Sequence, residues 1–246
     1  MRGRVRKTVV ALVLVASLPV TDVAFGQWPG GRVVVDTVHN LSRTAQVSPM
    51  NGFIADYGEA CVYCHAPHRT STNRPLWNRT FSSTSYRMYE SASLDMPQDP
   101  QPAATSRLCL SCHDGVLPLD RVIDRPVGAS TVGGNGETIK LCATDCHTGG
   151  NPDGGLNWEN VWFEPDLRKH HPISILYDPS YDPLFRPVAA VEAAGLRFVD
   201  GKLECVTCHE PHSQSISPFL RVSNTGGSLC SVCHVGGTGR TTAHFW

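Results

Sequence analysis

The stretch C-V-Y-C-H-A-P-H occupies residues 61–68, and it recurs as C-V-T-C-H-E-P-H at residues 205–212. Each copy is followed later by L-C-x-x-C-H-x-G, at residues 108–115 and 229–236. A fifth pair of cysteines lies between the two copies, in C-A-T-D-C-H at residues 142–147, with one more residue between its thiols. These five motifs use all ten cysteines of the 246-residue chain and indicate an internal duplication.

The motif C-x-x-C-H is the attachment signature of c-type haem. Its two thiols bond to the vinyl groups of the porphyrin, and its histidine becomes the proximal ligand of the iron. Residues three or four apart share one face of a helical turn, so both spacings allow two thiols to reach one porphyrin edge. We therefore expect five covalent haems. The haem-binding cysteines are Cys61, Cys64, Cys109, Cys112, Cys142, Cys146, Cys205, Cys208, Cys230 and Cys233, and the proximal ligands are His65, His113, His147, His209 and His234.

Two other uses of paired cysteines remain open at this point. C-x-x-C pairs also bind zinc or form disulfides. Zinc sites do not require a histidine directly after the second cysteine, whereas all five pairs have one here. For the irregular motif the alternative is a disulfide between Cys142 and Cys146.

Six further histidines provide candidates for the second axial ligand of five irons. His68 and His212 lie three residues after a proximal histidine, too close to reach the opposite face of the same iron, so each should ligate a neighbouring haem. His171 precedes a proline, which restricts its backbone and favours it over His170. The predicted distal ligands are His39, His68, His171, His212 and His244. The alternatives are that His68 or His212 is an ordinary surface histidine and that His244 is a mobile residue of the C-terminal tail. A methionine could also replace one histidine ligand, from Met50, Met88 or Met96.

The N-terminus has the pattern of a secretory signal peptide, predicted over residues 1–26. Four basic residues precede an apolar run from Thr8 to about Val20, and Ala24-Phe25-Gly26 is a small-x-small cleavage site. The run is short for a membrane span, although an uncleaved anchor is the alternative. We expect an exported protein, periplasmic or at the cell surface, with no later membrane span.

Removing the signal leaves 17 Lys and Arg against 21 Asp and Glu, and nothing suggests nucleic-acid binding.

The remaining chain, residues 27–246, is predicted to be one pentahaem domain. It contains two paired-haem units, about 27–131 and 195–246, with the irregular site between them. With 22 glycines and 18 prolines, we expect a loop-rich fold with short α-helices at the haem sites. A short helix is predicted from Pro187 to Ala194, stopped by Gly195. A β-hairpin is predicted over residues 196–205, around a type I′ turn at Asp200-Gly201.

Several further motifs carry a resemblance to a known family. They are His-x-Leu-Ser at 39–42, Pro-Leu-Trp-Asn at 75–78 and His-Pro-Ile-Ser at 171–174, combined with the C-x-x-C-H-x-P-H and L-C-x-x-C-H-D-G segments. In this combination the chain resembles the multihaem cytochromes c with doubled C-x-x-C-H motifs. The resemblance implies a fold organised around a chain of haems with bis-histidine ligation and electron transfer in the bacterial periplasm or at the cell exterior. Some such proteins serve metal-oxide respiration, and some polymerise into filaments.

Two functional classes follow from these motifs. The first is an electron carrier that is not an enzyme and passes electrons to redox proteins or an extracellular acceptor, either as a single chain or as a homopolymer. The second is a multihaem reductase of a small nitrogen or sulfur oxyanion, with one iron left open for substrate. The histidine count favours the first class. The chain also lacks the Cys-x-x-Cys-Lys motif that resemblance associates with one multihaem nitrite reductase family.

Overall fold

The described part of the chain is largely irregular, with short helices and one small sheet. The structure is a computed structural model that describes residues 33–42, 44, 54–70, 76–127 and 162–236. The predicted signal peptide and the site residues Cys142, Cys146, His147 and His244 lie outside the described residues. The loop-rich architecture agrees with the sequence-based expectation.

Short helices occur at the four described cysteine pairs. The α-helices are α1 (Ala104–His113), α2 (Val188–Ala193), α3 (Cys205–Cys208) and α4 (Ser228–Cys233). Single 3-10 turns occupy Val34–Asp36, Ala60–Tyr63, Leu167–Lys169 and Thr225–Gly227. Three of the α-helices and the turn at Ala60–Tyr63 carry the thiols, as expected. No described helix is long and apolar enough to span a bilayer.

The predicted helix after Pro187 is confirmed as α2. Pro187 lies at its N-cap with extended backbone, and Ala194 closes the last turn by donating its N–H to the Ala190 carbonyl at 3.1 Å. Gly195 follows with φ of 108°, a conformation that L-residues with a Cβ rarely adopt. The helix therefore ends where the glycine permits a left-handed turn.

The predicted hairpin is only partly correct. Its turn is present, because Val199 and Lys202 exchange two backbone hydrogen bonds of 3.1 and 2.9 Å around Asp200 and Gly201. Both turn residues have positive φ, 51° and 72°, as a type I′ turn requires.

The predicted strand partner is wrong. Beyond the Val199–Lys202 bridge, strand β2 (Lys202–Leu203) pairs antiparallel with β1 (Ile175–Leu176) rather than with residues 196–198. The register places Ile175 opposite Leu203 and Leu176 opposite Lys202. Leu196 is buried in the core with Ile175 and Val191, so packing withdraws it from the local pairing. β2 then leads through Glu204 directly into α3.

Cysteines lie against two of the apolar clusters. The first cluster is built around Ile54, Tyr57, Tyr63, Leu119 and Val122, with Cys64 and Cys112 packed at its edge. The second contains Met96, Ile175, Tyr177, Val191 and Leu196 together with Cys233. The third contains Tyr86, Leu110 and Leu167. The core therefore contacts the first, second and fourth of the described cysteine pairs.

Candidate haem-binding site

The four described cysteine pairs form a row in chain order. Cys64 and Cys112 pack on the same apolar cluster, which joins the first pair to the second. The thiols of Cys109 and Cys205 are electrostatically coupled, and the helices that carry them, α1 and α3, pack together. Cys208 lies close enough to Cys233 for the two to interact electrostatically, which joins the third pair to the fourth.

Burial holds several thiols of this row in the protonated form. Burial raises the pKa of Cys64 and Cys208 to about 12 and that of Cys233 to about 11, because desolvation disfavours the thiolate. All eight described cysteines are free of disulfides. Within the described ranges, no three His, Cys, Asp or Glu side chains converge as ligands of a bare metal ion. Free thiols packed against apolar clusters suit attachment to porphyrin edges.

A three-residue segment runs antiparallel to the first cysteine pair and binds it at three points. The N–H of Ala66 donates to the carbonyl of Leu76 at 3.2 Å. The N–H of Asn78 donates to the carbonyl of Cys64 at 2.8 Å. The Asn78 amide Nδ2 donates to the carbonyl of Val62 at 2.7 Å. We call such a segment a clip; this clip is residues 76–78.

A second clip, residues 219–221, repeats these contacts at the third cysteine pair. Glu210 N–H donates to the Phe219 carbonyl at 2.7 Å, and Arg221 N–H donates to the Cys208 carbonyl at 2.8 Å. The Arg221 Nε donates to the carbonyl of Val206 at 2.8 Å. Leu76 and Phe219, the first residues of the two clips, both have left-handed φ, 58° and 60°.

A third clip, residues 184–186, binds the fourth pair. Val235 N–H donates to the Leu184 carbonyl at 2.6 Å, and Arg186 N–H donates to the Cys233 carbonyl at 2.7 Å. The Arg186 Nε donates to the carbonyl of Ser231 at 2.9 Å. In all three clips the last side chain thus binds the carbonyl of the residue that follows the first cysteine.

The sequence reasoning missed the clips, although they have a sequence signal. Pro-Leu-Trp-Asn at 75–78 is matched by Pro-Phe-Leu-Arg at 218–221 and Pro-Leu-Phe-Arg at 183–186. The shared pattern is proline, two apolar residues and a side chain with an N–H donor. The middle residue of two clips also contacts a proximal histidine, since the rings of His65 and Trp77 lie 5.6 Å apart and those of His234 and Phe185 lie 4.5 Å apart.

The ring centroids of two pairs of histidines lie at the separation expected for two ligands of one iron. The ring centroids of His65 and His212 are 6.1 Å apart with an interplanar angle of 21°. Those of His39 and His113 are 6.2 Å apart with an angle of 69°. Two imidazoles on opposite sides of one metal place their centroids roughly 6 Å apart, since each metal–nitrogen bond is about 2 Å and each nitrogen lies about 1 Å from its centroid.

The Nδ1 atoms of several histidines are already engaged. A histidine that binds a metal through one nitrogen usually donates the other N–H to a carbonyl or carboxylate, which fixes the ring. The Nδ1 partners are the carbonyls of Pro211 (His39, 3.2 Å), Pro218 (His209, 3.1 Å) and Pro172 (His171, 2.9 Å), and the carboxylates of Glu210 (His212, 3.1 Å) and Asp124 (His68, 3.5 Å). This pattern leaves Nε2 as the coordinating atom.

The innermost of these imidazoles is neutral. Desolvation lowers the pKa of His39 to about 4, and the neighbouring His113 adds to the shift. Burial also lowers the pKa of His209. Neutral imidazole is the form that binds iron, so burial favours the state needed for ligation.

Three of the described distal candidates, His68, His171 and His212, lie at the surface. The side chain of His68 is 78% exposed beside Asp124. His171 is exposed, whereas His170 is half-buried with its ring 5.0 Å from that of Phe163. Burial lowers the pKa of His170. The choice between His170 and His171 therefore stays a prediction.

Arg79 is a buried residue of this region that the sequence reasoning did not single out. Its guanidinium donates to the carbonyls of Leu119 at 2.6 Å, Pro118 at 2.8 Å and Ser111 at 2.9 Å. Ser111 lies between the two thiols of the second motif. The Arg79 Nε is buried without a hydrogen-bond partner. A positive charge is thus held beneath the second cysteine pair.

Comparison with known families supports the assignment of the motifs. A family model described as the doubled CXXCH motif matches residues 198–238, which contain the third and fourth of the described cysteine pairs. No curated protein matches the chain. The matched segment is similar to that of multihaem c-type cytochromes, which bind haem covalently through C-x-x-C-H and transfer electrons. The CXXCH motifs of this chain thus indicate covalently bound c-type haem.

Proposed function

We propose that this chain is an exported electron-transfer protein with five covalent c-type haems, each iron ligated by two histidines. The observation that carries the proposal is the pairing of His65 with His212. A proximal histidine of one motif and a predicted distal histidine of another lie at the separation that a shared iron requires.

The donor sets fit haem at two sites. Cys61 and Cys64 with His65 would hold one haem, and His212 would complete its iron. Residues Cys109 and Cys112 would hold a second haem between His113 and His39, whose rings are 6.2 Å apart. Bis-histidine ligation holds the reduction potential lower than a histidine–methionine pair does.

The row of cysteine pairs supports conduction rather than isolated redox centres. Because Cys109 lies near Cys205, and Cys208 lies near Cys233, haems attached to neighbouring motifs would be neighbours in space. His212 strengthens this linkage. It lies three residues after His209, yet its ring pairs with that of His65, the histidine of the first motif. Electrons could then pass from haem to haem along the row.

The remaining parts of the proposal rest on the sequence. Cys142, Cys146 and His147 would hold the fifth haem, and His68, His171 and His244 would supply the remaining distal ligands. The signal-like N-terminus supports export of the mature protein to the periplasm or the cell surface. Its partners would be redox proteins or an extracellular acceptor, or further copies of the chain in a filament.

Spectroscopy of the oxidised holoprotein tests bis-histidine ligation. All irons should be six-coordinate and low-spin in optical and electron paramagnetic resonance spectra, since each has two imidazoles. A high-spin haem that binds nitrite or hydroxylamine would instead favour the reductase, because such an iron has an open position.

A further inference from the structure

The three clips reach their motifs from different directions along the chain. Residues 76–78 and 219–221 follow the motifs that they bind, whereas residues 184–186 precede theirs. The same three hydrogen bonds nevertheless form each time, with donor–acceptor distances from 2.6 to 3.2 Å. The contacts therefore serve the cysteine turn and do not follow from chain connectivity.

The cysteine turns need such external support. The turn at the third pair, α3, is only four residues long, and the one at the first pair is a four-residue 3-10 turn. A single turn is too short to be stable alone, because helix nucleation costs more than one hydrogen bond returns. Its last carbonyls also lack partners within the turn. The clip supplies donors to two of these carbonyls.

We propose that the clips are positioning elements for haem attachment, and that the third clip residue, Asn78, Arg186 or Arg221, is a positioning residue. The clip holds both thiols on one face so that they meet the same porphyrin edge. In each attachment a sulfur–carbon bond forms, the S–H bond breaks and its hydrogen adds to the second vinyl carbon, with no external oxidant or reductant. This inference rests on the proposed haem function.

Arg186 offers the cleanest test. It is exposed, and the side-chain hydrogen bond that defines its role is the one to the Ser231 carbonyl. Arg186→Ala should fold but leave the turn at Cys230 and Cys233 less well held. The loss of one such bond should raise the fraction of chains without haem at that motif roughly five-fold. Mass spectrometry of proteolytic peptides measures the loading of each motif separately.

Two matched variants complete the experiment. Arg186→Asn should restore loading, because Asn78 makes the equivalent bond from the same clip position. Arg197→Ala removes another exposed arginine and should leave loading unchanged. Normal loading of Arg186→Ala, equal loss in the alanine and asparagine variants, or loss spread evenly over all motifs would each overturn the inference. A wild-type protein without any covalent haem would instead refute the proposed function.

Discussion

The imidazole rings of His65 and His212 lie 6.1 Å apart and within 21° of parallel, although they belong to opposite copies of the duplicated motif. His39 lies beside the same loop, because its Nδ1 is 3.2 Å from the carbonyl of Pro211, the residue before His212. The N-terminal segment and the second copy are thus joined around the histidines of the first and second motifs.

Replacing His212 by alanine should convert one low-spin iron to high-spin. The affected haem should be the one attached through Cys61 and Cys64, because His212 faces His65. Electron paramagnetic resonance of the oxidised variant measures the change. His39→Ala is the matched comparison and should affect a different iron, so the double variant should contain two high-spin haems. A fully low-spin His212→Ala protein is incompatible with this ligation.

Glu210→Gln should raise the midpoint potential of the haem ligated by His212. The carboxylate accepts the Nδ1–H of His212 at 3.1 Å and so makes the imidazole a stronger donor to oxidised iron. A neutral amide donates less electron density, and the unpaired Arg221 adds positive charge nearby. Spectroelectrochemical titration should show one haem shifted upward. Glu192→Gln, on the exposed face of α2, is the control; equal titration curves for both variants would argue against the ligand role.

Arg79→Gln should lower the potential of haem at the second motif. The Arg79 charge is buried against the Ser111 carbonyl between Cys109 and Cys112, and a buried positive charge favours the reduced iron. The same titration detects the shift. Arg87→Gln removes an arginine whose side chain is 64% exposed, so solvent screening should leave the potentials unchanged. Potentials that are unaffected in the Arg79 variant would rule out an electrostatic role.

Glu204→Gln should stabilise the folded protein at neutral pH. Burial raises the pKa of Glu204, whose Oε2 accepts hydrogen bonds from Ser106 and Ser174 while Oε1 has no partner. Protonation of Glu204 therefore favours the folded state. Its contribution to the free energy of unfolding is fully present below the pKa of an unfolded glutamate and is lost as the pH rises through the raised pKa of Glu204 in the folded protein. Guanidinium unfolding of the wild type and of Glu204→Gln over a pH series measures the difference in their free energies of unfolding.

The advantage of the glutamine variant should shrink towards acid pH, where Glu204 is protonated in both states. Replacing Glu192 in the same way provides the control, since its side chain is exposed. A Glu204→Gln protein that is less stable than wild type at every pH would show that the carboxylate is needed for hydrogen bonding, whatever its charge.

Local features of the fold could be predicted from the sequence because each depends on neighbouring residues. The helix that ends before Gly195 and the turn at Asp200-Gly201 follow from backbone preferences of one or two residues. The pairing of β2 with β1 could not be predicted in this way, because it depends on Leu196 being drawn into the core by residues distant in sequence.

The candidate site likewise combines local features, which the sequence predicts, with long-range ones, which it does not. The C-x-x-C-H motifs carry their chemistry within five residues, so the cysteines and proximal histidines were recognisable. Which distal histidine faces which proximal one depends on how the two halves meet, as for His39 and His113. The clips were missed because their last residues, Asn78, Arg186 and Arg221, have a side-chain N–H donor in common but are not all of one residue type.

The most direct test of the account is the denaturing mass spectrum of the mature holoprotein. Thioether bonds survive denaturation, whereas haem held only by histidine is lost. The account predicts a chain that begins at Gln27 and carries five haem additions. Four additions with Cys142 and Cys146 unmodified would remove the irregular site from the proposal, and a chain without any haem would contradict the central claim.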